Sequence, residues 1–140
     1  MLLVGTHDRR LDEKSRLAIP AQFRDHFGDH CYLTRGRKKC VDIISTTDFE
    51  SVGAEMLAAV RRGEMSENRL MSVASSAVLA SIDKQGRVVV DEKLRAYAGL
   101  EPEVAVVLSG RLDRFQIWVP DRFAILDASG TEDIADEESS

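Results

Sequence analysis

The stretch LDEKSRLAIPAQFR at residues 11–24 recurs as IDKQGRVVVDEKLR at residues 82–95, at a constant offset of 71. Each copy reads as an apolar residue, Asp, a short turn, Arg, an apolar run and a short helix that carries basic residues. Asp12 and Arg16 therefore correspond to Asp83 and Arg87. Because the same turn occurs twice, we expect each half of the chain to fold around its own copy.

The turn in each copy is predicted from two residues. Asp can hydrogen-bond the backbone of the turn, and glycine can adopt a positive φ without a Cβ clash. The second copy has Asp83 and Gly86, whereas the first has Asp12 and Ser15. If the last position needs a positive φ, Ser15 costs on the order of 1 kcal/mol. The two turns are therefore predicted to differ in shape or rigidity.

Each turn is followed by the same order of predicted elements: a short apolar strand, a helix and two further strands. In the first copy Pro20 suits the first helical position and Gly28 the helix end; in the second, Asp91 and Gly99 have these roles. Gly36 and Gly110 are predicted to mark the turn between the last two strands. The predicted strands are 2–11, 17–19, 31–34 and 41–44 in the first copy, and 78–82, 88–90, 104–108 and 115–119 in the second.

The middle of the chain is predicted to be helical. Thr47 and Glu50 fit a capping box, and a second helical segment begins at Ser66. Residues 128–140 hold five acidic groups and no basic one, so we expect them to be disordered. The predicted organisation is a first repeat at 5–47, a helical linker at 48–76, a second repeat at 77–121 and an acidic tail at 128–140.

The size of the repeat constrains the fold. A unit of about 45 residues lies near the lower limit for a self-sufficient core, so the two copies should pack on each other. Their exposed strand edges would be satisfied by interleaving into one closed or nearly closed sheet with pseudo-twofold symmetry. We therefore expect an α+β fold, built as one pseudo-twofold β barrel with flanking helices.

Composition is that of a soluble protein, with 44% hydrophobic and 31% charged residues. The start of the chain lacks a basic leader and a long apolar stretch, which favours the cytoplasm. Cys31 and Cys40 are expected to be reduced thiols. With His26 and His30 they form no standard zinc-ligand spacing, so neither a metal nor another cofactor is expected.

Charge is distributed unevenly along the chain. The net charge is -5, yet residues 1–40 contain nine basic and five acidic groups, a net of +4. A basic surface can therefore coexist with an acidic sum, and such a surface is what binding to DNA requires. Chance scatter of surface charges is the alternative.

The paired DxxxR turns, their spacing and the helical segment between them resemble the MraZ family, bacterial regulators built from two tandem SpoVT-AbrB domains. The resemblance covers about residues 1–125 and implies a swapped-hairpin β barrel. It also implies a homo-oligomeric ring that binds short direct repeats in double-stranded DNA, in the promoter of its own division and cell-wall gene cluster. The family's DNA-contact arginine corresponds to Arg16, whereas Ser15 stands where the family usually has glycine.

DNA binding needs long cations on a firm turn, because Arg can fork onto guanine or phosphate while Lys supplies a point charge. Arg16 and Lys14 are the principal candidates, with Arg9 and Arg10 on the preceding strand, and Lys84 and Arg87 in the second copy. The alternative is that Asp12–Arg16 and Asp83–Arg87 pair across their own turns and only stiffen them.

No enzyme is predicted. The sequence has no GxSxG, phosphate-binding glycine loop or HExxH motif, and Asp12 and Asp83 each sit beside basic residues that favour simple ionisation. The function predicted is a sequence-specific transcriptional regulator in the cytoplasm, at the nucleoid, with no membrane or small-molecule substrate. A protein-binding, antitoxin-like module of the same swapped-hairpin fold is the alternative.

Overall fold

The computed structural model describes residues 1–136, with eight strands and five helices. The strands are β1 Thr6–Arg10, β2 Arg16–Ala18, β3 His30–Arg35, β4 Val41–Ser45, β5 Val78–Ser81, β6 Arg87–Val89, β7 Ala105–Gly110 and β8 Phe115–Trp118. The helices are α1 Arg24–Phe27, α2 Thr46–Arg61, α3 Glu67–Ser76, α4 Glu92–Ala98 and α5 Pro120–Ala135. The predicted α+β class is confirmed. Within residues 1–136, no helix combines the length and apolar character needed to cross a membrane.

The strands of the two copies interleave in antiparallel pairs. One sheet has the order β1-β7-β8-β4-β3-β5, and a separate two-stranded ribbon pairs β2 with β6. In the repeat, β1, β3 and β4 correspond to β5, β7 and β8. If each strand of the larger sheet is replaced by its equivalent in the other copy, the same strand order is obtained in reverse. The registers at the centre agree with this exchange, since Asp42 lies opposite Gln116 and Leu17 opposite Val88. The first two strands of each copy thus pair with strands of the other copy.

A closed barrel is not confirmed. Among the described residues the six-stranded sheet ends in β1 on one side and β5 on the other, and the β2–β6 ribbon forms a sheet of its own. The ribbon still touches the larger sheet's second edge strand through a single bridge between Ile82 and Val88. Interleaving satisfies most of the exposed strand edges, so closing the remaining gap is not required.

The core lies between the larger sheet, the ribbon and the short helices. Leu17 and Val88 of the ribbon are completely buried, and Phe23 packs edge-on against Phe115 with ring centroids 5.1 Å apart. Leu94 of α4 is buried in the same cluster. Because the inner face of the ribbon is apolar, hydrophobic burial fixes which face of its turns remains outside.

The helix signals within each copy are largely confirmed. Pro20 precedes a 3₁₀ turn that leads into α1, and Gly28 follows α1 with φ 69°. Asp91 caps α4 by accepting a hydrogen bond from the Lys93 N–H, and Gly99 ends it in the left-handed region.

The cap predicted at Thr47 is wrong. Ser45, the last residue of β4, caps α2 by accepting a hydrogen bond from the Asp48 N–H at 3.1 Å. Three hydroxyl residues stand in a row at 45–47, so the sequence pattern alone does not choose between them. Strand β4 therefore passes into α2 with no linker. The second helical segment does begin at Ser66, which caps α3.

Disorder from residue 128 is also wrong, because α5 continues to Ala135. Adding residues to an existing helix costs much less than starting one, and Phe123 and Leu126 anchor the first half of α5 on Val107 and Trp118. Residues 137–140 of the predicted tail lie outside the described part of the chain.

Two strand assignments change in detail. Only Thr6–Arg10 of the predicted strand 2–11 belongs to β1, while Leu3 forms an isolated bridge with Leu112. Gly110 is the last residue of β7, opposite Phe115, rather than part of a turn. A Cβ at Gly110 would overlap the backbone of Leu3, which explains glycine there. The repeat and linker boundaries remain predictions.

Candidate nucleic-acid interface

The two DxxxR turns have the same hydrogen bonds. Oδ1 of Asp12 accepts from the backbone N–H groups of Lys14 and Arg16, both at 2.9 Å. Oδ1 of Asp83 accepts from those of Gln85 and Arg87, again at 2.9 Å. Each aspartate thus closes its turn from inside, as the sequence predicted.

The last turn position does need a positive φ, which is 61° at Ser15 and 76° at Gly86. Each of these residues also connects the two copies: the Gly86 carbonyl accepts from the Ile19 N–H and the Ser15 carbonyl from the Val90 N–H, both at 2.9 Å. The two turns therefore flank one shared ribbon rather than standing apart.

The outer face of the β2–β6 ribbon brings the two arginines of the repeat together. Arg16 lies opposite Val89, and Arg87 lies opposite Ala18, two pairs further along the ribbon. Side chains alternate between faces of a strand, and Leu17 and Val88 occupy the buried face. Arg16, Ala18, Arg87 and Val89 therefore share the outer face, which we call the ribbon face.

Both arginines are ion-paired within their own turns. The Arg16 Nε donates to Asp12 Oδ2 at 2.6 Å, and the Arg87 Nε donates to Asp83 Oδ2 at 2.9 Å. The pairing that the sequence offered as an alternative is thus present in both turns. Among the described residues the hydrogen bond to the carboxylate uses only Nε of each arginine, and Oε1 of Glu13 lies further away, 3.9 Å from the Arg16 Nη2. The terminal nitrogens remain available to a ligand on the ribbon face.

Both turn carboxylates are held ionised. Burial raises the pKa of Asp12, but hydrogen bonds from the Arg16 and Lys14 backbones and from the Arg16 side chain outweigh it, so the pKa is lowered overall. For Asp83, the backbone hydrogen bond from Arg87 is the largest cause of a lowered pKa. Carboxylates held in this way are suited to positioning arginines rather than to exchanging protons.

The other predicted cations are placed unequally. Lys14 is exposed in the first turn, and the Arg9 Nε donates to the Ala18 carbonyl at 3.2 Å, which holds Arg9 against the ribbon. Arg10 alternates to the opposite face of β1 from Arg9. Lys84 is exposed but corresponds to Glu13, because Gln85 makes the backbone bond that Lys14 makes. Lys84 therefore occupies the position of Glu13 in the turn, not that of Lys14.

Sequence reasoning missed a second pair of arginines. The Arg24 Nε donates to the Ile19 carbonyl at 3.2 Å, and the Arg95 Nε donates to the Val90 carbonyl at 3.0 Å. A Cβ at Gly86 would overlap the Arg24 guanidinium, so Arg24 lies directly against the second turn. The equivalent positions of Arg24 and Arg95 in the repeat were visible in the sequence, but the contact of Arg24 with the other copy was not.

The residues considered for zinc do not come together. Cys31 and Cys40 are free and buried, and burial raises the pKa of the Cys31 thiol to about 12. The pKa of Cys40 is raised as well, by burial and by the nearby Asp42. His30 is exposed on β3, and His26 Nε2 lies 3.2 Å from Asp48 Oδ2. Within residues 1–136, no three potential ligands cluster in a way that could hold a metal ion.

Comparison with protein families gives one match that spans nearly the whole chain. The family is described as "MraZ protein, putative antitoxin-like", and its model matches residues 2–70 and 73–139 as two repeats. The division between the two matches falls within the helical middle segment, between the strands of the two copies.

Curated relatives agree with this match. The transcriptional regulator MraZ of Paenarthrobacter aurescens is 39% identical over 120 residues, covering 86% of this chain and 82% of the relative. The protein of the same name from Micrococcus luteus is 39% identical over 117 residues, covering 84% and 80%. That of Clavibacter michiganensis is 34% identical over 139 residues, covering 97% and 96%.

Proposed function

The chain belongs to the MraZ family, and on that premise we propose that it is a DNA-binding transcriptional regulator that contacts DNA through the ribbon face. The major groove of B-DNA admits a two-stranded β-ribbon, so a face of this size can reach base edges as well as phosphates. The single observation that carries the proposal is the convergence of Arg16 and Arg87 on that face.

The ion pairs strengthen this proposal rather than oppose it. An arginine held at Nε by its own carboxylate keeps its orientation, so less side-chain entropy is lost when its terminal nitrogens bind a guanine edge or a phosphate. Side-chain exposure is 23% for Arg16 and 30% for Arg87, so both guanidiniums are partly accessible.

We assign the principal contact to Arg16, with Lys14 beside it. Arg9 lies against Ala18, which is opposite Arg87 on the ribbon, and Arg10 contributes charge from the other face of β1. Arg87 and Lys84 provide the weaker contacts of the second copy. Asp12, Ser15, Asp83 and Gly86 shape the two turns and contact no DNA themselves.

The proposed operator is a set of short direct repeats in the promoter of the protein's own division and cell-wall gene cluster, read in the cytoplasm at the nucleoid. One ribbon face offers few phosphate contacts, so useful affinity requires several protomers on several repeats. Linked binding events of this kind raise affinity by about 10²–10⁴ without any new contact. A homo-oligomeric ring would supply such linkage.

A footprint on the DNA upstream of the protein's own gene tests the proposal. We expect protection of regularly spaced repeats and weaker binding as salt rises from about 50 to about 200 mM, since phosphate contacts release counterions. Scrambled DNA of the same length is the matched control. Equal binding to both DNAs would show that binding is not sequence-specific. Absence of binding to either DNA would exclude DNA as the ligand.

The antitoxin-like description of the family keeps a protein partner as the second candidate. This alternative predicts no footprint, together with a stoichiometric complex between this chain and one partner protein. The two candidates are separated by Arg16→Ala, which should abolish a footprint through the ribbon face but leave a protein complex formed through the helices unchanged.

A further inference from the structure

A cleft of about 820 Å³ lies between the α2–α3 helical pair and the outer face of the larger sheet. One part of its wall is apolar, formed by Phe49, Val52, Met56 and Val73. The remainder is strongly basic: seven of the side chains lining it are Arg or Lys and three are Asp or Glu. The cleft therefore suits an occupant that is both apolar and acidic.

Several of these cations lack a carboxylate partner. Arg62, Arg111 and Arg114 are ion-paired, but among the described residues Arg35, Arg37, Lys38 and Arg69 have no carboxylate within 4.0 Å. Arg35 donates to the Ser72 hydroxyl at 3.1 Å and its guanidinium lies over the Tyr97 ring. Its Nε is buried and has no hydrogen-bond partner in the described chain. Leaving a buried donor unpaired in this way costs free energy.

The same chain carries an element with the opposite character. Residues 127–135, the distal half of α5, form a helical arm that is exposed along its length except at the half-buried Gly130. The arm and Asp136 after it contain four acidic residues and no basic one: Asp127, Glu132, Asp133 and Asp136. Ile134 is 76% exposed, although it follows the face of α5 that Phe123 and Leu126 bury. An apolar, acidic helix without packing is marginal in water alone.

We propose that the acidic arm of one protomer docks in the basic cleft of the next. Charge complementarity supports the assignment, since exposed acids would meet unpaired arginines and Ile134 would meet the apolar wall. The arm must come from a second copy. No α5 residue lines the cleft of its own chain, and the anchored first half of α5 prevents the arm from folding back as a continuous helix.

This contact is heterologous, because each copy offers one arm and one cleft that are different surfaces. Heterologous contacts generate closed rings where the rotation closes. The inference thus rests on the homo-oligomer proposed above and names the surfaces that build it. It leaves the ribbon face free, so DNA contact and assembly are separate properties of the chain.

Charge reversal on each side tests the contact in the full-length protein without DNA. Glu132→Lys with Asp133→Lys alters the arm, and Arg37→Glu with Arg69→Glu alters the cleft. We expect each variant to raise the concentration at which the multimer half dissociates by about tenfold or more. Light scattering across a dilution series measures this concentration, and Glu92→Lys with Glu101→Lys is the matched control elsewhere on the surface.

Mixing the two variants provides the decisive result. The basic arm of one variant would then meet the acidic cleft of the other, so an equimolar mixture should form the multimer at concentrations where neither variant forms it alone. Circular dichroism of each variant before mixing establishes that it is folded. Failure of the folded variants to reassemble would overturn the proposal.

A small anion is the competing occupant of the cleft. A multimer that neither variant disturbs, together with inorganic phosphate binding that Arg37→Glu with Arg69→Glu weakens, would assign the cleft to such a ligand and overturn the proposal. Loss of DNA binding in Arg16→Ala with intact assembly would bear only on the ribbon face, so the two proposals fail separately.

Discussion

The two halves of the chain share one turn but surround it with different residues. Asp12 and Asp83 make the same backbone bonds, and Arg16 and Arg87 make the same ion pair. Around this common frame the first turn has Glu13 and Lys14, whereas the second has Lys84 and Gln85 at the equivalent positions. The difference teaches that the geometry of the turn is shared while the charges around it are placed differently in the two copies.

The helices that follow the strands of the two copies also combine a shared feature with a difference. Helix α2 follows Ser45 and α5 follows Val119, and both contain 16 residues. Helix α3 packs beside α2 and on β3, but among the described residues no such helix accompanies α5. The α2–α3 pair of the first half thus forms one wall of a cleft, whereas the second half ends in an arm, and this asymmetry is what a directional contact needs.

The largest effect is expected from Arg16→Ala, which should lower affinity for operator DNA about ten- to a hundredfold, as for the loss of one bidentate contact. Arg87→Ala should cost less, because the principal contact is assigned to Arg16. Fluorescence anisotropy titration measures both. Arg61→Ala is the matched control, since Arg61 is exposed at the end of α2 and lies neither on the ribbon face nor in the wall of the basic cleft. Equal losses for Arg16 and Arg87 would contradict the inequality of the two copies.

Gly86→Ala is expected to lower the free energy of unfolding by about 1–2 kcal/mol through its positive φ, and further because Arg24 must move. Gly63→Ala separates these causes, since Gly63 also has a positive φ but its Cβ would meet no atom within 4 Å. Urea denaturation of both variants measures the difference. If Gly63→Ala is as costly as Gly86→Ala, the contact with Arg24 does not contribute.

The opposite sign is expected for Ser15→Gly, which relieves a positive φ at a non-glycine residue. The gain should be at most about 1 kcal/mol, since glycine also gains freedom in the unfolded chain. Thermal or urea unfolding provides the measurement. A loss of stability would mean that the buried Ser15 side chain contributes more by packing than its backbone costs.

The smallest expected effect is on the loss of folding stability at acid pH. Because the pKa values of Asp12 and Asp83 are lowered in the folded state, their stabilisation is complete above the unfolded value of 3.8 and is lost as the pH falls through the folded value. Asp12→Asn with Asp83→Asn should therefore lose less stability than the wild type between about pH 5 and about pH 2. Parallel pH dependences in urea denaturation would show that the two turns contribute nothing to acid sensitivity.

Local signals predicted much of the fold. The repeated Asp, the glycine position and the β-branched runs act within a few residues, so the turns, most strand cores and the ends of α1 and α4 were predictable. The cap of α2 was not, because Ser45, Thr46 and Thr47 are chemically equivalent and only the end of β4 decides between them. The extent of α5 depended on its anchoring by distant residues of the sheet.

The candidate site was predictable in its residues more than in its arrangement. Arg16 and Arg87 follow from the repeat, but their common face depends on the pairing of β2 with β6. The closed barrel was an inference from unsatisfied edges, and interleaving satisfies most of them without closure. Arg24 and the basic cleft arise from contacts between residues far apart in sequence, which no local pattern contains.

The exchange of the first two strands has a consequence for synthesis. Strand β1 pairs with β7, and β2 pairs with β6. The first strands to leave the ribosome therefore have no partner strand until the second half of the chain has been synthesised. Until then the apolar side of the nascent ribbon, with Leu17 at its centre, has no surface to pack against. Non-local pairing of this kind slows folding and exposes intermediates to aggregation. A chain that stalls after its first half should therefore be a substrate for chaperones, not a half-active regulator.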